Sequence, residues 1–210
     1  MKNLQKYLMI LGTIMLSIGI SACSKQPDFD AKSYVQSSLD AYYHGEYKDY
    51  ANLLELSEKD AKKEIEEDFN ESIQQQFNDS DNITDKGIAD YAEKLTEVKK
   101  LAKYKVQDEK KDEDGNYTVS VKVEPSDVFQ TLQQSSAEVS KEKIAQGMKE
   151  TDPGVFASVL TESVQKSIDK NSYGAPVTVT VKVEKNHSGT YELSETERSK
   201  LETAMFPTTE

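Results

Sequence analysis

The chain is poor in the residues that most often carry chemistry. Its 210 residues include one cysteine, two histidines and no tryptophan, and arginine occurs once, as Arg198. The single cysteine, Cys23, leaves no partner for an internal disulfide. The two histidines, His44 and His187, are isolated, and no pair of His or Cys residues has zinc-site spacing. We therefore predict a protein that is not an enzyme, with no catalytic residue, no bound metal and no cofactor.

Positive charge is also scarce. The chain has 26 basic and 38 acidic residues, and its formal net charge is -12. Two of the lysines, Lys2 and Lys6, lie in the first 22 residues, which hold no acidic residue, so the remainder carries a charge near -14. Such an acidic surface argues against binding to nucleic acid or to anionic lipid head groups through a basic patch.

The N-terminus has the pattern of a secretory signal. Lys2 and Lys6 precede an uncharged, mostly apolar run from Leu8 to Ile20. This run is shorter than the about 20 apolar residues that cross a bilayer core about 30 Å thick. A positive start, a short apolar segment and small residues at its end are typical of a cleaved signal peptide, which we predict for residues 1–22.

The residues that follow the apolar run contain the only cysteine. The motif Ile20-Ser21-Ala22-Cys23 resembles the lipobox of bacterial lipoprotein precursors. The resemblance implies cleavage between Ala22 and Cys23 and a diacylglycerol thioether on Cys23, with N-acylation of Cys23 left open. The lipid bilayer would then be a partner of the chain, and the protein would be anchored to the cell membrane, facing outside the cytoplasm. Two alternatives remain: a secreted protein with an incidental cysteine, and an uncleaved anchor.

The first half of the remaining chain shows helical periodicity. Apolar residues at spacings of three and four predict four helices, and Gly45 is expected to end the first. Asp30 and Ser57 are expected to cap the first and third helices, the latter with Asp60. The apolar positions that define these helices lie within residues 30–45, 47–54, 57–77 and 88–101.

The second half mixes strands with helices. The segments "YTVSVKVE" (117–124) and "PVTVTVKVEK" (176–185) alternate valine with polar residues, which predicts strands with one buried face. Helices are predicted for 126–147, from 152 onwards, and after a capping box at Ser194 and Glu197. The buried face of the sheet is expected to contain the valines at positions 119, 121, 123, 179, 181 and 183.

This order of elements predicts an α+β fold, in which N-terminal helices pack on a curved, mainly antiparallel sheet. We expect a tether over residues 23–29 and a single domain over residues 30–206. An alternative division into two helix-plus-hairpin units, 30–124 and 125–206, rests on the similar segments "TVSVKVEP" and "TVTVKVEK". The stretch "FDAKSYVQSSLDAYYHGEYKDYANLLELSE" is similar to the start of uncharacterised Gram-positive lipoproteins that have a nuclear-transport-factor-like (cystatin-like) domain. That resemblance implies a cone-like fold and supplies no catalytic residue.

Tyrosines are the candidates for a ligand site. Five of the eleven tyrosines lie between positions 34 and 50. A phenol can bury its ring and keep its hydroxyl free for a ligand. If the cone opens between the first helices and the sheet, the residues near that opening would be Tyr42, Tyr43, Tyr47 and Tyr50, with Tyr117 reaching in from the sheet. The alternative is that these rings only fill the core.

One acidic turn resembles a calcium loop. In "KKDEDGN", Asp112, Asp114 and Gly115 match positions three, five and six of such a loop. Lys110 and Val121 stand at positions one and twelve, where the loop needs carboxylates, so we interpret the segment as a turn between strands.

These observations favour a membrane-anchored lipoprotein that binds a protein or a small molecule at the cell surface without catalysis. Two alternatives belong to other classes: an immunity or inhibitor protein against an exported toxin or phage component, and an envelope enzyme that uses carboxylates. A buried carboxylate facing a deep cavity would favour the enzyme, and a filled cone would favour the binding protein.

Overall fold

Polar caps fix where several helices begin. A computed structural model describes residues 29–77, 83–149, 152, 154–186 and 189–208. In it, four capping side chains each accept a hydrogen bond from the backbone N–H three residues later: Asp30, Ser57, Thr84 and Ser194. Three of these caps were predicted from the sequence, and Thr84 adds a fourth. The helices are α1 (Ala31–Leu39), α2 (Tyr47–Leu53), α3 (Glu58–Gln74), α4 (Asp85–Lys99), α5 (Leu132–Ala145), α6 (Val155–Lys170) and α7 (Glu195–Met205).

The strands form one antiparallel sheet in the order β1-β2-β3-β4, with bounds Lys103–Lys111, Tyr117–Glu124, Val177–Lys185 and Tyr191–Leu193. β2 and β3 pair directly in the centre, with Val119 opposite Val181 and Val121 opposite Val179. The two similar sequence segments therefore lie side by side in one sheet. The fold class is α+β, as predicted.

Alternation along β2 and β3 produces one apolar face. Val119, Val121, Val123, Val181 and Val183 are fully buried on that face. Val179, the sixth valine of the predicted set, is only partly buried. The intervening residues of β2 are half-buried or exposed Thr, Ser, Lys and Glu side chains. One polar and one apolar face are what an antiparallel sheet covered on a single side requires.

Helices α1 and α7 cover the sheet: α1 packs on β1 and β2, and α7 packs on β2 and β3. Helix α2 joins α1 to α3, while α4 packs on α6 and α6 on α5. The contact between α4 and α6 depends on Gly87, since a Cβ atom there would lie 2.7 Å from the Cβ of Ala157. No helix in the described part of the chain has the length and apolar character needed to span a bilayer.

Two predicted helices start later than expected. α5 begins at Leu132 rather than at Ser126, because the residues before it bond to the segment after α6. Ser126 forms a β-bridge with Tyr173, and the Asp127 carboxylate accepts a hydrogen bond from the Ser172 N–H at 2.7 Å. The helix predicted from Asp152 begins at Val155.

Candidate functional site

A cleft of about 690 Å³ lies between α3 and α4. α3 contributes Glu66 and Phe69 to its walls, and α4 contributes Ala92 and Lys99. The residues that follow α1 form its floor.

The floor is a π-helical turn, Asp40–His44, that continues α1. Its wider ring is closed by the Gly45 N–H, which donates to the Asp40 carbonyl, and Gly45 then ends the helix with φ 71°. Tyr42, Tyr43 and His44, three consecutive residues of this turn, all contribute to the lining of the cleft. Single π-turns inside α-helices occur frequently at functional sites.

Lys99 is the most unusual side chain in this cleft. Its Nζ lies 3.7 Å from the centre of the Tyr42 ring and 4.3 Å from the centre of the Phe69 ring. Neither a hydrogen bond nor an ion pair to an oxygen satisfies this amine within the part of the chain that the structure describes. Burial lowers the pKa of Lys99 to about 7, against a smaller opposing effect from the carboxylates of Glu66 and Glu202.

Behind Lys99 lies a second, much smaller cavity of about 30 Å³. Glu202 of α7 borders it, together with the aromatic residues Phe129, Phe206, Tyr42 and Tyr43. Burial among these rings raises the pKa of Glu202 to about 8, although the Lys99 amine acts in the opposite direction. The site therefore pairs an amine and a carboxyl whose charges are both disfavoured by their surroundings.

His44 is held at the rim of the cleft by contacts with the start of β1 and the residue that precedes it. Its Nε2 lies 3.0 Å from the Ala102 carbonyl, and its ring stacks on Tyr104 with ring centres 5.2 Å apart. The Tyr104 hydroxyl donates to the Asp40 carboxylate at 2.7 Å. Burial, followed by this carboxylate, holds the pKa of Tyr104 well above its usual range. These contacts hold the π-turn against β1.

The five candidate tyrosines are divided by the fold. Tyr42, Tyr43 and Tyr47 line the cleft, and the Tyr47 hydroxyl donates to Glu66 at 3.4 Å. Tyr50 is buried with α2 and does not line the cleft. Tyr117 also lies elsewhere, because β2 carries it to an aromatic cluster with Phe29 and Tyr191.

The position of the cleft also differs from the expectation. It lies between helices α3 and α4 rather than between the first helices and the sheet. The apolar face of the sheet is instead filled, since Tyr34 of α1 and Leu201 and Met205 of α7 are buried in the core with the strand valines. Phe29, assigned to the tether by sequence, stacks on Tyr191 with ring centres 4.2 Å apart, so the folded domain already includes it.

Other predicted site residues fall outside the site or outside the described chain. Ala22, Cys23 and His187 lie outside the described residues. Asp112 accepts a hydrogen bond from the Asn116 N–H at 2.9 Å, within a turn where Gly115 has φ 85°. Among the described residues no group of three His, Cys, Asp or Glu side chains is arranged to hold a metal ion.

Sequence reasoning did not identify Lys99 or Glu202. Lys99 is one of many lysines, and Glu202 lies 103 positions later in an ordinary amphipathic helix. In the sequence, the burial of Lys99 is indicated by its position one helical turn after Leu95, which is itself buried. A lysine that continues an apolar stripe is a signal that could have indicated it.

Comparison with known proteins gives a fold relationship. No protein-family model and no curated protein matches the chain. Among solved structures, the chain is similar to the 2.62 Å crystal structure of the Bacillus subtilis strain 168 protein YcdA, a candidate lipoprotein. The TM-score is 0.58 and the sequence identity is 15%, over 83% of this chain and 55% of YcdA. The chain thus spans about half the length of YcdA, and the similarity concerns the fold.

Proposed function

We propose that this protein is a lipoprotein anchored outside the cytoplasm through Cys23, and that its α+β domain binds a ligand in the cleft without catalysing a reaction. The anchoring is supported by the lipobox-like motif Ile20-Ser21-Ala22-Cys23. It is also consistent with the candidate lipoprotein YcdA, whose fold the chain shares. Acylation of a cysteine with two chains attaches a domain to a bilayer stably and needs no spanning helix.

Binding in the cleft is supported chiefly by Lys99. Lys99 lines a cavity of about 690 Å³, inside the range of about 300–1,000 Å³ that is usual for small-molecule sites. The rings of Tyr42 and Phe69 hold the amine in place, while its N–H groups lack an oxygen acceptor among the described residues. A partly buried donor without an acceptor is costly unless a ligand or water completes it.

The carboxylates favour a binding protein over an envelope enzyme. Glu202 is a largely buried carboxyl of this region, but the cavity that it borders has only about 30 Å³, which suits a water molecule and not a substrate. The space between α1 and the sheet is filled by apolar side chains. The described residues therefore do not combine a buried carboxylate with a deep cavity, which is the arrangement that an acid–base enzyme would need.

The anchor is tested by mass spectrometry of the mature N-terminus. We expect wild-type protein to start with a diacylglyceryl-modified Cys23. Cys23→Ala should abolish the modification and the cleavage before residue 23, because the thiol is the acylated group. Ser24→Ala is the matched control and should be processed normally. A mature N-terminus other than modified Cys23 would contradict the anchor.

The cleft is tested by filling it. Ala89 lines the cleft from an exposed position of α4, so Ala89→Trp should occupy the cavity without disturbing the core. Lys86→Trp, on the same helix but outside the cleft, is the control. In a small-fragment screen by NMR, we expect the fragments that bind wild type to be lost in Ala89→Trp and kept in Lys86→Trp. Fragment binding that Ala89→Trp leaves intact would contradict a cleft site.

A further inference from the structure

The charges around the cleft are distributed unevenly along α4. Lys99 and Lys100 stand at its C-terminal end and line the cleft, whereas Asp85 and Glu93 line it from the first and middle turns. Lys62 of α3 also lines the cleft, but it faces Glu66 at 3.8 Å on the exposed surface. Lys99 is therefore the cation of this cleft that is both partly buried and without a carboxylate within ion-pair distance among the described residues.

We infer, on the basis of the proposed function, that Lys99 binds the carboxylate of a monoanionic ligand whose apolar or aromatic part lies against the cleft wall. The wall offers suitable surface beside the amine, since Phe69, Ile88 and Ala92 all line the cleft. A carboxylate oxygen would supply the acceptor that the ammonium lacks, in a charge-assisted hydrogen bond.

Other ligand charges fit this arrangement less well. A cationic group could not use the faces of Tyr42 and Phe69, because the Lys99 amine already occupies them. A phosphate dianion is usually held by arginine or by several donors, whereas Glu66 and Glu202 lie close enough to Lys99 to act on its charge. One partly buried cation with two acidic neighbours is best matched by a single negative charge.

The ionisable groups around Lys99 predict how the affinity for a carboxylate ligand should depend on pH. The groups that line the two cavities with Lys99 include Glu66 from α3, Glu202 from α7, and His44 and Tyr42 from the π-turn. Glu93 on α4 itself and Lys100, which directly follows α4, also line the cleft. Because burial lowers the pKa of Lys99 to about 7, part of the amine is neutral near neutrality. A bound carboxylate would favour the charged amine, so affinity should decrease as the pH rises from 6 to 9.

The test compares matched acids and amides on the full-length lipidated protein in lipid nanodiscs, with empty nanodiscs as the background. Phenylacetate and phenylacetamide represent a free small acid, while N-acetylphenylalanine and its amide represent the carboxyl end of a peptide. Ligand-observed NMR titration gives each dissociation constant. In wild type we expect at least one acid to bind about tenfold more tightly than its amide, a typical gain for a charge-assisted contact. Which acid shows the preference distinguishes the two sources.

Two variants assign the effect to one amine. Lys99→Met keeps a long apolar stem against the rings and should bring the acid and the amide to equal affinity. Lys86→Met removes an exposed amine of the same helix outside the cleft and should keep the tenfold preference. A preference that persists in Lys99→Met, or equal binding of acid and amide by wild type, would overturn the inference. Amides that bind in the cleft without acid preference would leave the proposed function standing. If none of the four probes binds at concentrations up to about 10 mM, the carboxylate assignment is overturned. The fragment screen with Ala89→Trp would then remain the test of whether the cleft binds ligands at all.

Discussion

Replacing Glu202 by glutamine should make the protein more stable at alkaline pH and leave it unchanged at acid pH. Glu202 borders the small aromatic cavity behind Lys99, and burial there raises its pKa from 4.5 to about 8. Below pH 4.5 the carboxyl is protonated in both the folded and the unfolded chain. Between pH 4.5 and pH 8 the unfolded chain loses this proton while the folded chain retains it, so the free energy of unfolding decreases as the pH rises. Above pH 8 the loss is complete.

The size of the effect follows from the same pKa. Each tenfold change in proton affinity corresponds to about 1.4 kcal/mol, so a rise from 4.5 to about 8 corresponds to at most about 5 kcal/mol. The side chain retains some contact with solvent, which screens the charge, and we therefore expect about 2 kcal/mol. Glutamine has nearly the same shape as the protonated carboxyl and cannot ionise, so Glu202→Gln should avoid this loss entirely.

Urea unfolding followed by far-UV circular dichroism measures the difference between pH 4 and pH 9. We expect Glu202→Gln and wild type to unfold at the same urea concentration at pH 4, and the variant to be the more stable protein at pH 9. Glu195→Gln changes an exposed carboxylate at the start of the same helix, and its profile should run parallel to wild type. If Glu202→Gln also ran parallel to wild type, the carboxyl would ionise normally in the folded protein and the reasoning would be refuted.

Two further predictions concern the core and use the same unfolding assay. The Tyr91 hydroxyl is buried without a hydrogen-bond partner among the described residues, whereas that of Tyr34 accepts from the Leu193 N–H at 3.3 Å. Tyr91→Phe should therefore raise stability by about 1 kcal/mol and Tyr34→Phe lower it by about 1 kcal/mol, and equal effects would contradict this difference. Val121→Asp should cost about 4 kcal/mol or prevent folding, because it places a charge in the fully buried face of β2, whereas Ser120→Asp on the opposite face should cost less than 1 kcal/mol. Similar losses in both variants would contradict the assigned faces.

The elements that the sequence predicted correctly depend on short-range interactions. A cap such as Ser57 bonds to the N–H of Asp60, three residues away, so the motif is complete within one helical turn. The alternation in 117–124 likewise specifies a strand and its buried side without reference to the rest of the chain. These signals were sufficient for the fold class.

The cleft could not be predicted in the same way, because its parts are brought together by tertiary structure. The π-turn depends on contacts of Asp40 and His44 with β1 and with the segment before it, about 60 residues later in sequence. Periodicity places Tyr42 and Tyr43 in one predicted helix and Tyr47 in the next, and cannot show that all three line one cavity. Tyr50 and Tyr117 were grouped with these cleft tyrosines because the sequence predicts the helix or strand that carries each residue but not the distances between those elements.

Removing Lys99 should raise the pKa of Glu202 further, and this connects the two unusual groups of the site. The Lys99 amine favours the ionised form of Glu202, in opposition to the larger effect of burial. In Lys99→Met the opposing effect is lost, so the midpoint of the Glu202 titration should move upwards from its wild-type value of about 8, as followed by ¹³C NMR of the side-chain carboxyl carbon. The shift should be smaller than the loss of a full charge would give, because an amine with a pKa of about 7 is only partly protonated near pH 8. Lys200→Met is the control, since this exposed lysine pairs with Glu197 at 2.5 Å, and it should leave the Glu202 midpoint unchanged. A midpoint that stays constant or falls in Lys99→Met would mean that the amine does not act on Glu202. An upward shift would show that the charge on Lys99 is felt across the aromatic rings, and a carboxylate bound on the cleft side would then compete with Glu202 for the same cation.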